Sequence, residues 1–181
     1  MDALSADSAP SPEFAITVIG TDWPGIIADV SAVLAGLGLN LTDSTMTLLR
    51  GHFAMTLVCT GEVAAAEVEA ALAPLTGRGL VATVREVSTE GPAEPIGGHY
   101  VLRLHGADRL GIVAAVTRAI ADAGGNITDL TTRLAAGLYV IVAEVDIPST
   151  VDIDELSTRL RTVATDLGVE ASLSPQETDV L

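Results

Sequence analysis

The residues of this chain best suited to holding a small polar ligand form a set that occurs twice. Asp22, Gly25 and Asn40 are matched, at a constant offset, by Asp108, Gly111 and Asn126. An aspartate carboxylate accepts from an ammonium group, and an asparagine amide both donates and accepts. A glycine at the start of a helix leaves the free backbone N–H groups open to a small carboxylate. Asn40 and Asn126 are expected at the starts of second strands, next to the same helix N-termini, and together these groups describe a receptor for a molecule carrying both a carboxylate and an ammonium: an amino acid. Purely structural duties account for the same residues. Asp22 and Asp108 can cap helices, Pro24 suits a first helical turn, and Asn at a strand entrance is ordinary turn chemistry.

The elements that must position these groups are duplicated as well. GTDWPGIIADV (20–30) and GADRLGIVAAV (106–116) align without a gap, and the match continues through Gly38, Asn40, Thr42 and Asp43 against Gly124, Asn126, Thr128 and Asp129. In the first copy FAITVIG (14–20) reads as a strand, and Ile26, Val30, Val33, Leu34 and Leu37 recur at helical spacing. LNLTDSTMTLL (39–49) and HFAMTLVCT (52–60) read as two strands around an Arg50-Gly51 turn. Val68, Ala71, Leu72 and Leu75 mark a second helix, and LVATVREV (80–87) a fourth strand. The second copy repeats the order with strands near 99–106, 127–134, 138–145 and 168–173. Its first helix is lined by Ile112, Val113, Val116 and Ile120. Its second is lined by Ile153, Leu156, Leu160, Val163 and Leu167, opened by Asp152 and Glu155 in capping-box spacing. The expected fold is α+β, two βαββαβ domains at 13–88 and 98–174, each an antiparallel sheet with helices on one face. A disordered N-terminal tail (1–12), a Gly/Pro/acidic linker (89–97) and a C-terminal tail (175–181) complete the chain.

Composition narrows the function. The 181 residues suffice for two small domains, and 49% hydrophobic residues suffice for two cores. There is no lysine, and nine arginines face 24 acidic residues for a net charge of −15, which argues against direct nucleic-acid binding. Cys59 is the single cysteine, which leaves no intrachain disulfide and no cysteine metal site. The N-terminus lacks the pattern of a signal peptide and no apolar run reaches the length of a membrane span, so a cytoplasmic protein without membrane association is expected. His52, His99 and His105 have no partners at metal-ligand spacing, and no metal or cofactor is expected.

The repeated D-x-P/L-G-I-I/V-A…G-x-N-I/L-T-D pattern in a βαββαβ frame resembles the ACT domain, a ferredoxin-like regulatory module that binds amino acids. Two copies in tandem resemble the glycine cleavage system transcriptional repressor group, and the second copy is also similar to the ACT domain of formyltetrahydrofolate deformylases. The resemblance implies that ligands sit where the strand–helix loop of one domain meets the second-strand entrance of its neighbour. Carried onto this chain, the first set is Asp22, Trp23, Pro24, Gly25, Ile26 and Ile27 with Asn40, Leu41 and Thr42. The second is Asp108, Arg109, Leu110, Gly111, Ile112 and Val113 with Asn126, Ile127 and Thr128. Leu110 departs from the usual proline, and Arg109 stands where the first copy has Trp23. Trp23-Pro24 gives a stiffer, more apolar rim, and Arg109 a cation for a carboxylate or an interface.

The expected function is therefore a non-catalytic amino-acid sensor that acts through a protein partner, assembled as a homodimer through helix or strand-edge surface. A ligand-free ACT dimerisation scaffold is the alternative. A remote third reading is an acylphosphatase-like enzyme, in which Arg109 and Asn126 mimic the arginine and asparagine of that fold's active site.

Overall fold

The computed structural model describes residues 11–88 and 97–176. The chain divides into two compact units, Met1–Pro92 and Ala93–Leu181. The first contains β1 (Glu13–Thr21), α1 (Ile26–Gly36), β2 (Asn40–Leu49), β3 (His52–Thr60), α2 (Ala65–Thr76) and β4 (Leu80–Val87). The second contains β5 (Gly97–Ala107), α3 (Ile112–Asp122), β6 (Asn126–Ala135), β7 (Leu138–Pro148), α4 (Ile153–Asp166) and β8 (Val169–Pro175). Both sheets are antiparallel, ordered β2-β3-β1-β4 and β6-β7-β5-β8. This is the βαββαβ fold, twice. The strands of the second unit run one to three residues beyond the expected ends, so Gly97 and Pro175 belong to β5 and β8. Of the expected N-terminal tail (1–12), linker (89–97) and C-terminal tail (175–181), residues 1–10, 89–96 and 177–181 lie outside the described residues.

Two periodicities build each core. In β1 and β3 the alternate residues Phe14, Ile16, Val18, Phe53, Met55, Leu57 and Cys59 are buried beneath Ile26, Val30 and Leu34 of α1 and Val68, Leu72 and Leu75 of α2. The second core uses Leu102, Leu104, Ile141, Ala143 and Val145 under Ile112, Val116 and Ile120 of α3 and Leu156, Leu160 and Ala164 of α4. Its fully buried side chains include no aromatic residue, so branched aliphatic packing fills the volume.

Turn chemistry sets the register. Arg50-Gly51 and Ala136-Gly137 both have two positive φ angles, the backbone of a tight two-residue hairpin turn. The hairpins therefore close at Leu49↔His52 and Ala135↔Leu138. Near the start of β2 the register shifts between Leu41 and Asp43, leaving Thr42 as an extra residue. The same bulge recurs at Thr128, between Ile127 and Asp129. β2 and β6 are edge strands whose residues are mostly exposed, including Leu41, Met46, Leu48, Leu130 and Leu134.

Candidate functional site

The strand–helix loops are built on glycine, and the aspartates play no capping part. Gly25 is the N-cap of α1 with φ +102, and Gly111 the N-cap of α3 with φ +89; neither helix has a side-chain cap. Asp22 and Asp108 therefore do not cap these helices, and Pro24 precedes the cap instead of opening the first turn. The reason is geometric. A left-handed N-cap turns the chain sharply from strand to helix, and only glycine enters that conformation without strain. Asp22 is held through its backbone, with its N–H donating to the Gly51 carbonyl at 3.2 Å. A Cβ on Gly111 would meet no protein atom within 4 Å, so the space in front of that helix is open. Asp152 behaves as expected at α4, where its Oδ1 accepts from the N–H groups of Asp154 (2.9 Å) and Glu155 (3.0 Å).

Trp23 and Arg109 occupy matching loop positions but differ in burial: Trp23 packs onto its own unit's core, and Arg109 is exposed. Trp23 is half-buried against the first core, and the Arg78 guanidinium lies 3.7 Å from its ring centroid while bonding Asp29 at 2.9 Å. The Trp23 indole N–H is buried with no acceptor among the described residues. Arg109 lies over Gly168 in the α4–β8 turn, where an added Cβ would sit 3.2 Å from Arg109 Nη2. Each unit thus pins its loop to the turn after its second helix, by an aromatic ring under a guanidinium in one case and a guanidinium over a glycine in the other. Trp23 thus serves the packing of its own unit, while Arg109 stays exposed and has no ion-pair partner among the described residues. Leu110 is 100% exposed, as are Pro24 and Asp108 in large part.

The asparagines do not lie beside the loop of their own unit. Asn40 pairs with Thr60, which pairs with Glu13 at the start of β1, whereas the loop follows Thr21 at the far end. Eight strand steps separate those ends, about 27 Å at roughly 3.4 Å per residue. In the second unit Asn126 shares a row with Asp146 and His99, and the loop follows Ala107, again eight steps away. The reading that placed each asparagine next to its own helix N-terminus fails because α1 and α3 must carry the chain the full length of the sheet before the next strand starts. Arg109 and Asn126 are held apart in the same way, so the acylphosphatase-like pairing is not assembled within the domain. Any pocket using both a loop and an asparagine needs two domains.

What surrounds Asn126 is a groove of about 450 Å³ between α3 and the start of β6, a usual size for a small-molecule cleft. Ala114, Thr117, Arg118 and Ala121 form its helix wall, with Gly125, Asn126 and Ile127 opposite. Arg118 is exposed and has no ion-pair partner among the described residues. The sequence reading missed it, although the repeat held the signal: Ala32 stands at the matching position of the first copy. Ile26 and Ile112 are core residues, while Ile27 and Val113 are more accessible. Thr42, the bulge residue, donates through its hydroxyl to the Val58 carbonyl at 3.1 Å.

The ACT domain profile matches residues 13–78 and again 99–174. The chain belongs to the ACT-domain family. An uncharacterised UPF0237 protein of Listeria innocua is 39% identical over 64 residues, 35% of this chain and 72% of the relative. One from Methanopyrus kandleri is 49% identical over 43 residues, 24% of this chain and 48% of its own. Among solved structures, an unknown protein from Galdieria sulphuraria superposes with a TM-score of 0.78 at 29% identity, covering 92% of this chain and 99% of the other. A protein assigned as a glycine cleavage system transcriptional repressor gives 0.70 at 21% identity, covering 94% and 100%, a likeness of fold. No helix among the described residues is long and apolar enough to cross a membrane, and no group of His, Cys, Asp and Glu among them could hold a metal ion.

Proposed function

We propose that this tandem ACT protein is a non-catalytic regulator that senses an amino acid. The ligand is held between the Gly-capped loop of one ACT domain and the asparagine-bearing strand entrance of another. The observation that carries the reading is the groove beside Asn126. It presents an unpaired Arg118 guanidinium and a primary amide in a chain of net charge −15, where five of every seven or so charged side chains are acidic. A guanidinium binds a carboxylate through two parallel hydrogen bonds. The amide and an aspartate from an abutting loop can then take the ammonium group. The first domain has Ala32 in place of Arg118, so the two halves of the protein offer unequal sites.

A thermal-shift series with the twenty amino acids tests this directly. A ligand at a hundredfold over its Kd adds about 2.7 kcal/mol, a rise of several degrees in Tm. Arg118→Ala and Asn126→Ala should remove the rise while the unliganded Tm stays within about 2 °C, since both side chains are at the surface. A protein whose Tm ignores every amino acid at millimolar concentration would overturn the reading. That result would favour the scaffold role, for which the exposed apolar side chains along β2 and β6 speak. In either role the output passes through protein contacts, in the cytoplasm and as a homodimer.

A further inference from the structure

Each sheet carries its helices on one face, and the pairing register decides which residues share the bare one. In the first unit Thr17 pairs with Thr56 and Thr83, and Thr56 pairs with Thr45, so four threonines cross the sheet in one row. The row on one side is Thr47, Ala54, Ile19 and Val81; on the other it is Asp43, Val58, Ala15 and Arg85. Of these three rows only the last is charged, and its charges stand at opposite outer edges of the sheet; the row beyond it, Asn40, Thr60, Glu13 and Val87, carries Glu13 at the end of β1. Asp43 and Arg85 are both exposed, and neither has an ion-pair partner among the described residues. Ile19 and Val81 are 48% and 59% exposed. The matching face of the second unit carries charge at its centre, with Glu144, Arg103 and His105 on the inner strands β7 and β5. Burial there would strand those groups at the centre; burial of the three first-unit rows would strand none and leaves Glu13 at the rim.

We propose that the bare face of the first sheet docks on the same face of a second copy of this chain, about a two-fold axis running along the strands. That rotation keeps every row in place and exchanges its ends, so β2 faces β4 of the other copy and β3 faces β1. Asp43 then meets Arg85 of the second copy, twice, once at each edge. Between these pairs Thr45 faces Thr83, Thr56 faces Thr17, Val58 faces Ala15, and the small Ala54 receives the larger Ile19. Stacked sheets with strands within about 30° of each other are a stable arrangement. Four strands about 4.8 Å apart and about 27 Å long bury roughly 500 Å² per copy, about 1,000 Å² in all, the lower bound of a specific interface. The groove beside Arg118 and Asn126 belongs to the second unit, whereas Asn40 lies on this face, one row beyond Asp43.

Sedimentation velocity on the full chain tests it, with circular dichroism to confirm folding. Asp43→Arg and Arg85→Asp each set like charges face to face and should raise the dimer Kd at least tenfold or so. The double variant, with both reversals in one chain, should return to within about threefold of wild type. Thr17→Glu, at the centre of the face, should abolish this association step; Leu48→Glu, on the opposite side of β2, should leave it unchanged. A wild-type monomer at about 100 μM, a double variant as weak as the singles, or loss of the dimer with Leu48→Glu but not with Thr17→Glu would each overturn the proposal.

Discussion

Replacing Gly111 with alanine separates what the loop does for the fold from what it does for a ligand. The new methyl group meets nothing within 4 Å, so no steric clash enters the balance. What remains is the left-handed backbone at φ +89, which costs a residue with a Cβ about 1–2 kcal/mol. Alanine also lowers the entropy of the unfolded chain, which returns about 0.4–1 kcal/mol. The net loss should be about 1 kcal/mol, or roughly 4–8 °C in Tm for a domain of this size. Gly137→Ala is the control: its φ is +81, its Cβ also meets nothing within 4 Å, and it lies in the β6–β7 turn. Denaturant unfolding should show similar losses for the two. Titration calorimetry with the amino acid giving the largest thermal shift should separate them, with affinity down at least about tenfold for Gly111→Ala and within about twofold of wild type for Gly137→Ala. Equal affinities would refute the placing of this loop at the ligand, and a negligible stability loss at Gly111 would refute the strained cap.

Other substitutions probe the packing around the loops. A double-mutant cycle between Trp23→Phe and Arg78→Met should give a coupling of about 0.5–1 kcal/mol, because the stacked guanidinium is half exposed. The Arg78–Asp29 pair should add little and fade with salt. Asp152→Ala removes two hydrogen bonds at the start of α4 and should cost about 1 kcal/mol, while Asp22→Ala removes no cap and should cost a few tenths in chemical denaturation. Burial, with a smaller contribution from Glu13, raises the Cys59 thiol above its usual value of 9.0. Cys59 should therefore resist alkylation in the native protein and react in denaturant. Stability from this thiol is fully present below that value and declines at more alkaline pH.

The fold was readable because both periodicities are strong and because the repeat reads each element twice. Val30, Leu34, Val116 and Ile120 could face nowhere but a core. The loops misled because a Gly-x-Asp-x-x-Gly stretch fits a side-chain cap as well as a glycine cap, and the choice depends on the angle between strand and helix. The position of Asn40 and Asn126 depended on direction: sequence order sets them after a helix, and the length of that helix carries them to the other end of the sheet. Arg118 was hidden for another reason. An exposed arginine on a helix is ordinary until the start of β6 is seen to leave a groove beside it. The unpaired Asp43 and Arg85 are still less legible, since only the register of three strand pairings puts them in one row.

The bulges at Thr42 and Thr128 bear on how much change each domain tolerates. On either side of the extra threonine, Asn40 and Asp43 share the bare face of the sheet and Leu41 lies on the helix side, as their partners Thr60, Val58 and Cys59 show. Removing Thr42 would leave the alternation Asn40, Leu41, Asp43 intact, so no apolar side chain would change sides. The ladder does not require that residue, yet both copies keep it at the same place. Its effect is confined to the aim of the first two residues of the strand. The extra threonine thus bends the entrance that carries the asparagine while the sheet behind it keeps its alternation.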